Sequence, residues 1–219
     1  MKKLWFVLLS FLLCSSAFAA IPSQVVFIGD SLSDNGNLYN LIKFIPKSPP
    51  YYRGRFSNGP TWAEHVGNHI FSNHNVEYKI YAYGGATAVY HSPKDSPFFA
   101  PVLLDGEMLT YYLGNLFTDK SKVLYMFWIG ANDYLYDTRV DMDQLTSQVV
   151  DKIASSVESL IKNGGRSFVM LNLPDLSRTP YSVDAHNGPR LHQLTVMHNT
   201  KLRDAMQRIE TAHTNVKIY

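Results

Sequence analysis

The chain has 219 residues, with 20 lysines and arginines against 18 aspartates and glutamates, and 46% of it is aliphatic or aromatic. That length argues for one domain with an ample core. A formal charge of +2 provides no basic field of the kind nucleic-acid binding requires.

The first residues read as a leader. Met1-Lys2-Lys3 is a basic start, Leu4 to Leu13 is an apolar run too short to span a bilayer, and Ala17-Phe18-Ala19 places small residues where a signal peptidase cuts. Residues 1–19 are therefore expected to be a cleavable signal peptide, which implies a secreted or periplasmic destination from a Gram-negative bacterium. Bulky Leu13 before Cys14 argues against lipoprotein processing. Cleavage removes Lys2, Lys3 and the single cysteine, leaving 18 basic against 18 acidic residues and no disulfide.

Val25-Val26-Phe27-Ile28 reads as a buried strand that stops at Gly29-Asp30-Ser31. A strand ending in a glycine turn presents the next side chain at the edge where open α/β sheets carry their chemistry. Ser31 is thus a candidate nucleophile, although Gly-Asp-Ser is also common in turns and caps. Leu38 to Ile45 suggests a short helix. Pro46 to Asn58 is a loop rich in aromatics, with two arginines, and reads either as a pocket wall or as a loop burying its own tyrosines. Thr61 is placed to cap a helix running to about Phe71, with Trp62, Val66 and Ile70 on one face.

Tyr78 to Tyr83 alternates as a strand ending in Gly84-Gly85, and Tyr90 to Ala100 reads as a loop. A helix over Val102–Phe117 follows, with Leu104, Met108, Tyr111 and Tyr112 inward. Val123 to Ile129 reads as a fully buried strand ending in Gly130-Ala131-Asn132-Asp133. Asp143 to Lys162 is the clearest helix, stopped by Asn163-Gly164-Gly165. Ser167 to Leu173 is a strand ending at Pro174-Asp175. Ser177 to Pro189 reads as a loop, Arg190 to Thr211 as a helix, and Asn215 onward as a fifth strand. This alternation predicts an α/β fold with a five-stranded parallel sheet covered on both faces. Right-handed crossovers bring the strand C-terminal ends to one edge.

Those ends suit acyl transfer, which needs a nucleophile, a base and donors for the oxyanion. Ser31 supplies the hydroxyl, and its own N–H, expected at a helix start, is one donor. Gly84 offers a second backbone N–H and the Asn132 amide a third. The histidines and carboxylates lack zinc-site spacing. No glycine-rich loop fits nucleotide phosphates. No metal and no cofactor are expected.

Gly29-Asp30-Ser31-Leu32-Ser33-Asp34, Tyr83-Gly84-Gly85-Ala86 and Gly130-Ala131-Asn132-Asp133 together resemble the GDSL or SGNH lipases and esterases. Arg55-Phe56-Ser57-Asn58-Gly59-Pro60 and Asn172-Leu173-Pro174-Asp175 also look like the bacterial lipase branch that holds secreted lysophospholipases A and glycerophospholipid–cholesterol acyltransferases. The resemblance implies a three-layer α/β/α, flavodoxin-like SGNH-hydrolase domain over residues 20–219. It implies ester hydrolysis through an acyl-enzyme on Ser31, with Gly84 and Asn132 in the oxyanion hole. The partners it implies are a lysophospholipid or other acyl-ester substrate and a transient membrane or micelle surface, without nucleic acid. The family's Asp-x-x-His block, which supplies the base after the fifth strand, has no match here. Asp184-Ala185-His186 is one residue short and precedes the wrong helix. The expectation is therefore a domain lacking its last helix and nearly inactive in this 219-residue form. A short-chain or carbohydrate acetyl esterase and a non-catalytic ligand-binding remnant are the alternatives.

Overall fold

The computed structural model describes residues 21–89, 102–136 and 141–219. The expected leader over 1–19 and the loop over 90–100 lie outside the described residues. Five strands, β1 (Gln24–Gly29), β2 (Glu77–Ile80), β3 (Val123–Trp128), β4 (Ser167–Met170) and β5 (Lys217–Ile218), form one sheet in the order β2-β1-β3-β4-β5. Every pair is parallel, and Gly29 stands opposite Trp128 in the β1–β3 register. The helices are α1 (Asn37–Ile42), α2 (Trp62–His74), α3 (Leu104–Gly114), α4 (Ala131–Tyr136), α5 (Met142–Lys162), α6 (Pro180–Asp184) and α7 (Gly188–Ala212). This is the α/β/α arrangement expected.

Both faces of β1 are closed. Val26 and Ile28 join the larger core formed with α3, α5 and α7, while Val25 and Phe27 pack with Ala63, Trp62, Val66 and Ile70 of α2. Each buried aliphatic or aromatic side chain here contributes roughly 1.5–3 kcal/mol. The α5 stripe of Leu145, Val149, Ile153, Val157 and Leu160 is buried as its 3.6-residue period predicts. The β3 strand departs from expectation: Val123, Tyr125 and Phe127 are buried, but Leu124, Met126 and Trp128 are half-buried. One face of this strand meets the main core, and the α2 side closes it only in part.

Caps decide several boundaries. The Thr61 side chain accepts from the Glu64 N–H while the Glu64 carboxylate accepts from the Thr61 N–H, a capping box worth about 1 kcal/mol. Asp141 accepts from the N–H groups of Asp143 and Gln144 and starts α5. Two short helices appear where the sequence suggested irregular chain. Thr179 and Pro180 start α6 inside the expected 177–189 loop, and α4 begins directly at the Gly130 turn. Each is too short to show a hydrophobic period.

Candidate active site

Ser31 lies two residues beyond the end of β1, in a tight turn. The N–H groups of Ser33 and Asp34 both donate to the Asp30 carbonyl at 3.0 Å, and the Leu32 N–H donates to Asp30 Oδ1 at 3.0 Å. No helix begins at Ser31; the next is α1, six residues on. The turn itself, rather than a helix N-terminus, orients the Ser31 N–H. Gly29 is required by close approach, because a Cβ there would collide with the Trp128 carbonyl. Trp62 Nε1–H donates to Ser33 Oγ at 3.0 Å, tying α2 to the same turn.

Ser31, Gly85 and Asn132 line one open cleft of about 490 Å³ whose wall includes Ile45, Pro46 and Phe56. The structure thus brings Ser31 and Asn132 together, as their strand-end positions implied. Asn132 is the second residue of α4 and is buried. One amide proton donates to the Ala86 carbonyl at 2.9 Å, which leaves the other for the cleft.

Gly84 is placed differently from expectation. Its N–H donates to Asp34 Oδ2 at 2.8 Å, so that proton is not free for an oxyanion. Phe56 packs where a Gly84 Cβ would stand. The adjacent Gly85, at φ +78, is the glycine that faces the cleft. Neither its N–H nor that of Ser31 has a partner among the described residues.

Buried carboxylates hold these loops together. Asp34 accepts from the N–H groups of Gly36, Asn37, Leu38 and Gly84. Glu107 of α3 accepts from Gly29 and Tyr83 at 3.0 and 3.1 Å, joining the ends of two strands. Asp133 accepts from Ala88 and Val89. Burial pushes the Asp34 and Glu107 carboxyls up, well up for Glu107, against the backbone donors that favour their charged forms. Burial also raises Asp30 to about 7, with the Leu32 N–H opposing and the Asp133 charge adding. Of these carboxylates, only Asp30, Asp34 and Asp133 fall inside recognisable motifs. Glu107 carries no such signal: it is one of two acids, with Asp105, in the first turn of α3.

Among the described residues no histidine lines the cleft. His186 is exposed at φ +51, so the Asp184–His186 pair forms no dyad with Ser31. On α7, His192 Nδ1 lies 3.0 Å from Asp175 Oδ2 and is largely exposed, while His198 is buried with Nδ1 2.7 Å from the Tyr134 hydroxyl. His213 pairs with Glu158. His91 lies outside the described residues. A second cavity, of about 530 Å³, lies between α7 and the ends of β4 and β5; Asn172 of the Asn-Leu-Pro-Asp stretch lines it, and Ser31, Gly85 and Asn132 do not. Among the described residues no cluster of three or more His, Cys, Asp or Glu is arranged to hold a metal ion.

The GDSL-like lipase/acylhydrolase family model matches residues 25–219. The chain belongs to this family. It is 34% identical over 217 residues to the phosphatidylcholine-sterol acyltransferase of Aeromonas hydrophila, across 95% of this chain and 62% of that protein. It is 28% identical over 198 residues to the secreted effector protein SseJ of Salmonella typhimurium, across 90% of this chain and 46% of the other. This GDSL chain therefore spans about half to three-fifths of the length of these two relatives. Its fold resembles that of Est24, a carbohydrate acetylesterase from Sinorhizobium meliloti, with a TM-score of 0.54 at 14% identity, covering 90% of this chain and 82% of that one.

Proposed function

We propose that this GDSL protein cleaves carboxylic esters of lipids, with lysophospholipids as the substrate class, through an acyl-enzyme on Ser31. The observation that carries the reading is the single cleft in which Ser31, Gly85 and Asn132 meet beside the apolar side chains of Ile45, Pro46 and Phe56. Ser31 Oγ attacks the ester carbonyl carbon and gives its proton to a base. The carbonyl oxygen becomes an oxyanion held by the N–H groups of Ser31 and Gly85 and by Asn132 Nδ2. Collapse expels the alcohol, which takes up the proton, and leaves the acyl group on Ser31. Water then releases the fatty acid, or a second alcohol accepts the acyl group, which is how hydrolase and acyltransferase outcomes share one intermediate. Gly85 replaces Gly84 in this scheme because the Gly84 proton is committed to Asp34. No residue of the described cleft serves as the base. The basic and apolar residues of the first nineteen support export before action.

Reaction with a fluorophosphonate followed by peptide mass spectrometry tests the nucleophile, with modification expected on Ser31 and absent in Ser31→Ala. Hydrolysis of p-nitrophenyl esters of increasing chain length, beside fatty-acid release from lysophosphatidylcholine, tests the substrate class. A preference for the acetyl ester overturns the lipid reading in favour of an acetyl esterase.

A further inference from the structure

We propose that α1 and the following segment to Tyr51 form a docking surface for an anionic phospholipid bilayer around the mouth of the Ser31 cleft. This rests on the lipid-ester reading above and adds the surface from which substrate is drawn. Leu38 is the one buried residue of α1. Leu41 is 59% exposed, Phe44 64%, Leu32 44% and Tyr51 41%. The same stretch of chain supplies Ile45, Pro46, Pro50 and Tyr51 to the cleft that contains Ser31. Leu41 and Phe44 thus lie directly before the residues that wall the cleft, and Tyr51 is both exposed and part of that wall.

Charge selects the partner. From residue 35 to residue 63 the sequence has Lys43, Lys47, Arg53 and Arg55 and no aspartate or glutamate. Arg55 is held by Glu64 in a two-point pair, Nη2 to Oε1 at 2.6 Å and Nε to Oε2 at 3.2 Å, and the Arg53 guanidinium lies 5.3 Å from the Tyr52 ring centroid. Lys43 and Lys47 are exposed, and their ammonium groups have no partner among the described residues. Apolar side chains flanked by unpaired lysines suit insertion at an interface whose phosphates carry negative charge. A second copy of this surface would set Lys43, Lys47 and Arg53 against the same three cations, which disfavours self-association there. A second exposed apolar group, Leu113, Leu116 and Phe117, lies where α3 ends, on the sheet edge away from Ser31, and serves as an internal comparison.

The test is flotation of the protein with vesicles of phosphatidylcholine alone and of phosphatidylcholine with one third phosphatidylglycerol. Binding is expected to the anionic vesicles and to be far weaker to the neutral ones. Lys43→Gln with Lys47→Gln should lower binding to anionic vesicles by about 30-fold. Leu41→Ser with Phe44→Ser should lower it at least tenfold, with circular dichroism showing a retained fold. Leu113→Ser with Phe117→Ser should leave it unchanged. Equal binding to both vesicle types, loss of binding in the Leu113/Phe117 pair alone, or vesicle-independent sedimentation that the Phe44 change abolishes would each overturn the proposal. Ser31→Ala should bind as the wild type does, so failure of the esterase reading leaves this result readable.

Discussion

The Gly84 N–H donates to Asp34 Oδ2 across 2.8 Å, and that bond joins the glycine block beyond β2 to the turn that carries Ser31. Asp34 uses both oxygens. Oδ1 accepts from Gly36 and Asn37, and Oδ2 accepts from Leu38 and Gly84. The carboxylate is thus a brace between two loops that contribute separate donors to one cleft.

Replacing Asp34 with Asn turns one acceptor oxygen into a donor facing backbone N–H groups. Two buried donors then lose their partner, at about 1–3 kcal/mol each, partly offset because a desolvated charge is also removed. The expected net loss is about 3 kcal/mol in urea unfolding at neutral pH. A loss below about 1 kcal/mol would show that the brace is dispensable.

Asn132→Ala removes the proposed oxyanion donor while leaving Ser31 in place. On the proposed mechanism, in a form of the protein that carries the catalytic base, it lowers kcat about a hundred- to a thousandfold, with little change in KM. A loss within about threefold would remove Asn132 from the oxyanion hole. The Ala86 carbonyl also loses its Asn132 partner, so thermal unfolding of the variant must accompany the kinetics.

Asp30 sets a stability trend above acid pH. Its carboxyl titrates near 7 in the fold against 3.8 as an ordinary aspartate, because burial opposes ionisation. The folded protein then holds a proton that the unfolded chain has released. Stability therefore falls as pH rises from about 4 to about 7, by about 4 kcal/mol in all, and is flat beyond. Asp30→Asn keeps an oxygen for the Leu32 N–H and removes the ionisable group. It should be more stable than the wild type at pH 8 and should lose that advantage near pH 4, as read from urea midpoints.

His198 acts in the opposite sense. Burial lowers it from 6.5 to about 4, so protonation is disfavoured in the fold. The unfolded chain gains a proton first, and stability is lost as pH falls from about 6.5 towards 4, by about 3 kcal/mol. His198→Gln retains an acceptor for the Tyr134 hydroxyl and removes this acid limb. The two slopes partly cancel in the wild type between pH 4 and 6.5, so each single variant is expected to expose the other group's slope.

How much of the site was legible in the sequence depended on distance along the chain. Ser31 and Asn132 stand directly after apolar runs, and strand ends at a common edge follow from alternation and crossover handedness. Gly84 and Gly85 are indistinguishable as letters. A carboxylate fifty residues earlier in the chain takes the N–H of one and leaves the other facing the cleft. Glu107 drew no assignment from the sequence, yet it is fully buried, and the N–H groups of Gly29 at the end of β1 and of Tyr83 beyond β2 both meet its oxygens. The helices α4 and α6 left no period to read, and the stretch that holds α6 read as a loop.

The amino-acid sequence by itself determined the alternation of strands and helices, the parallel sheet and the family, and it singled out Ser31 as the candidate nucleophile, because these rest on local periodicity and on contiguous motifs. Tertiary structure alone decided which glycine faces the cleft, which acids are buried and which apolar side chains wall the cleft. Those outcomes depend on which groups compete for each N–H and for each patch of buried surface, and the competitors are brought together only when the chain folds.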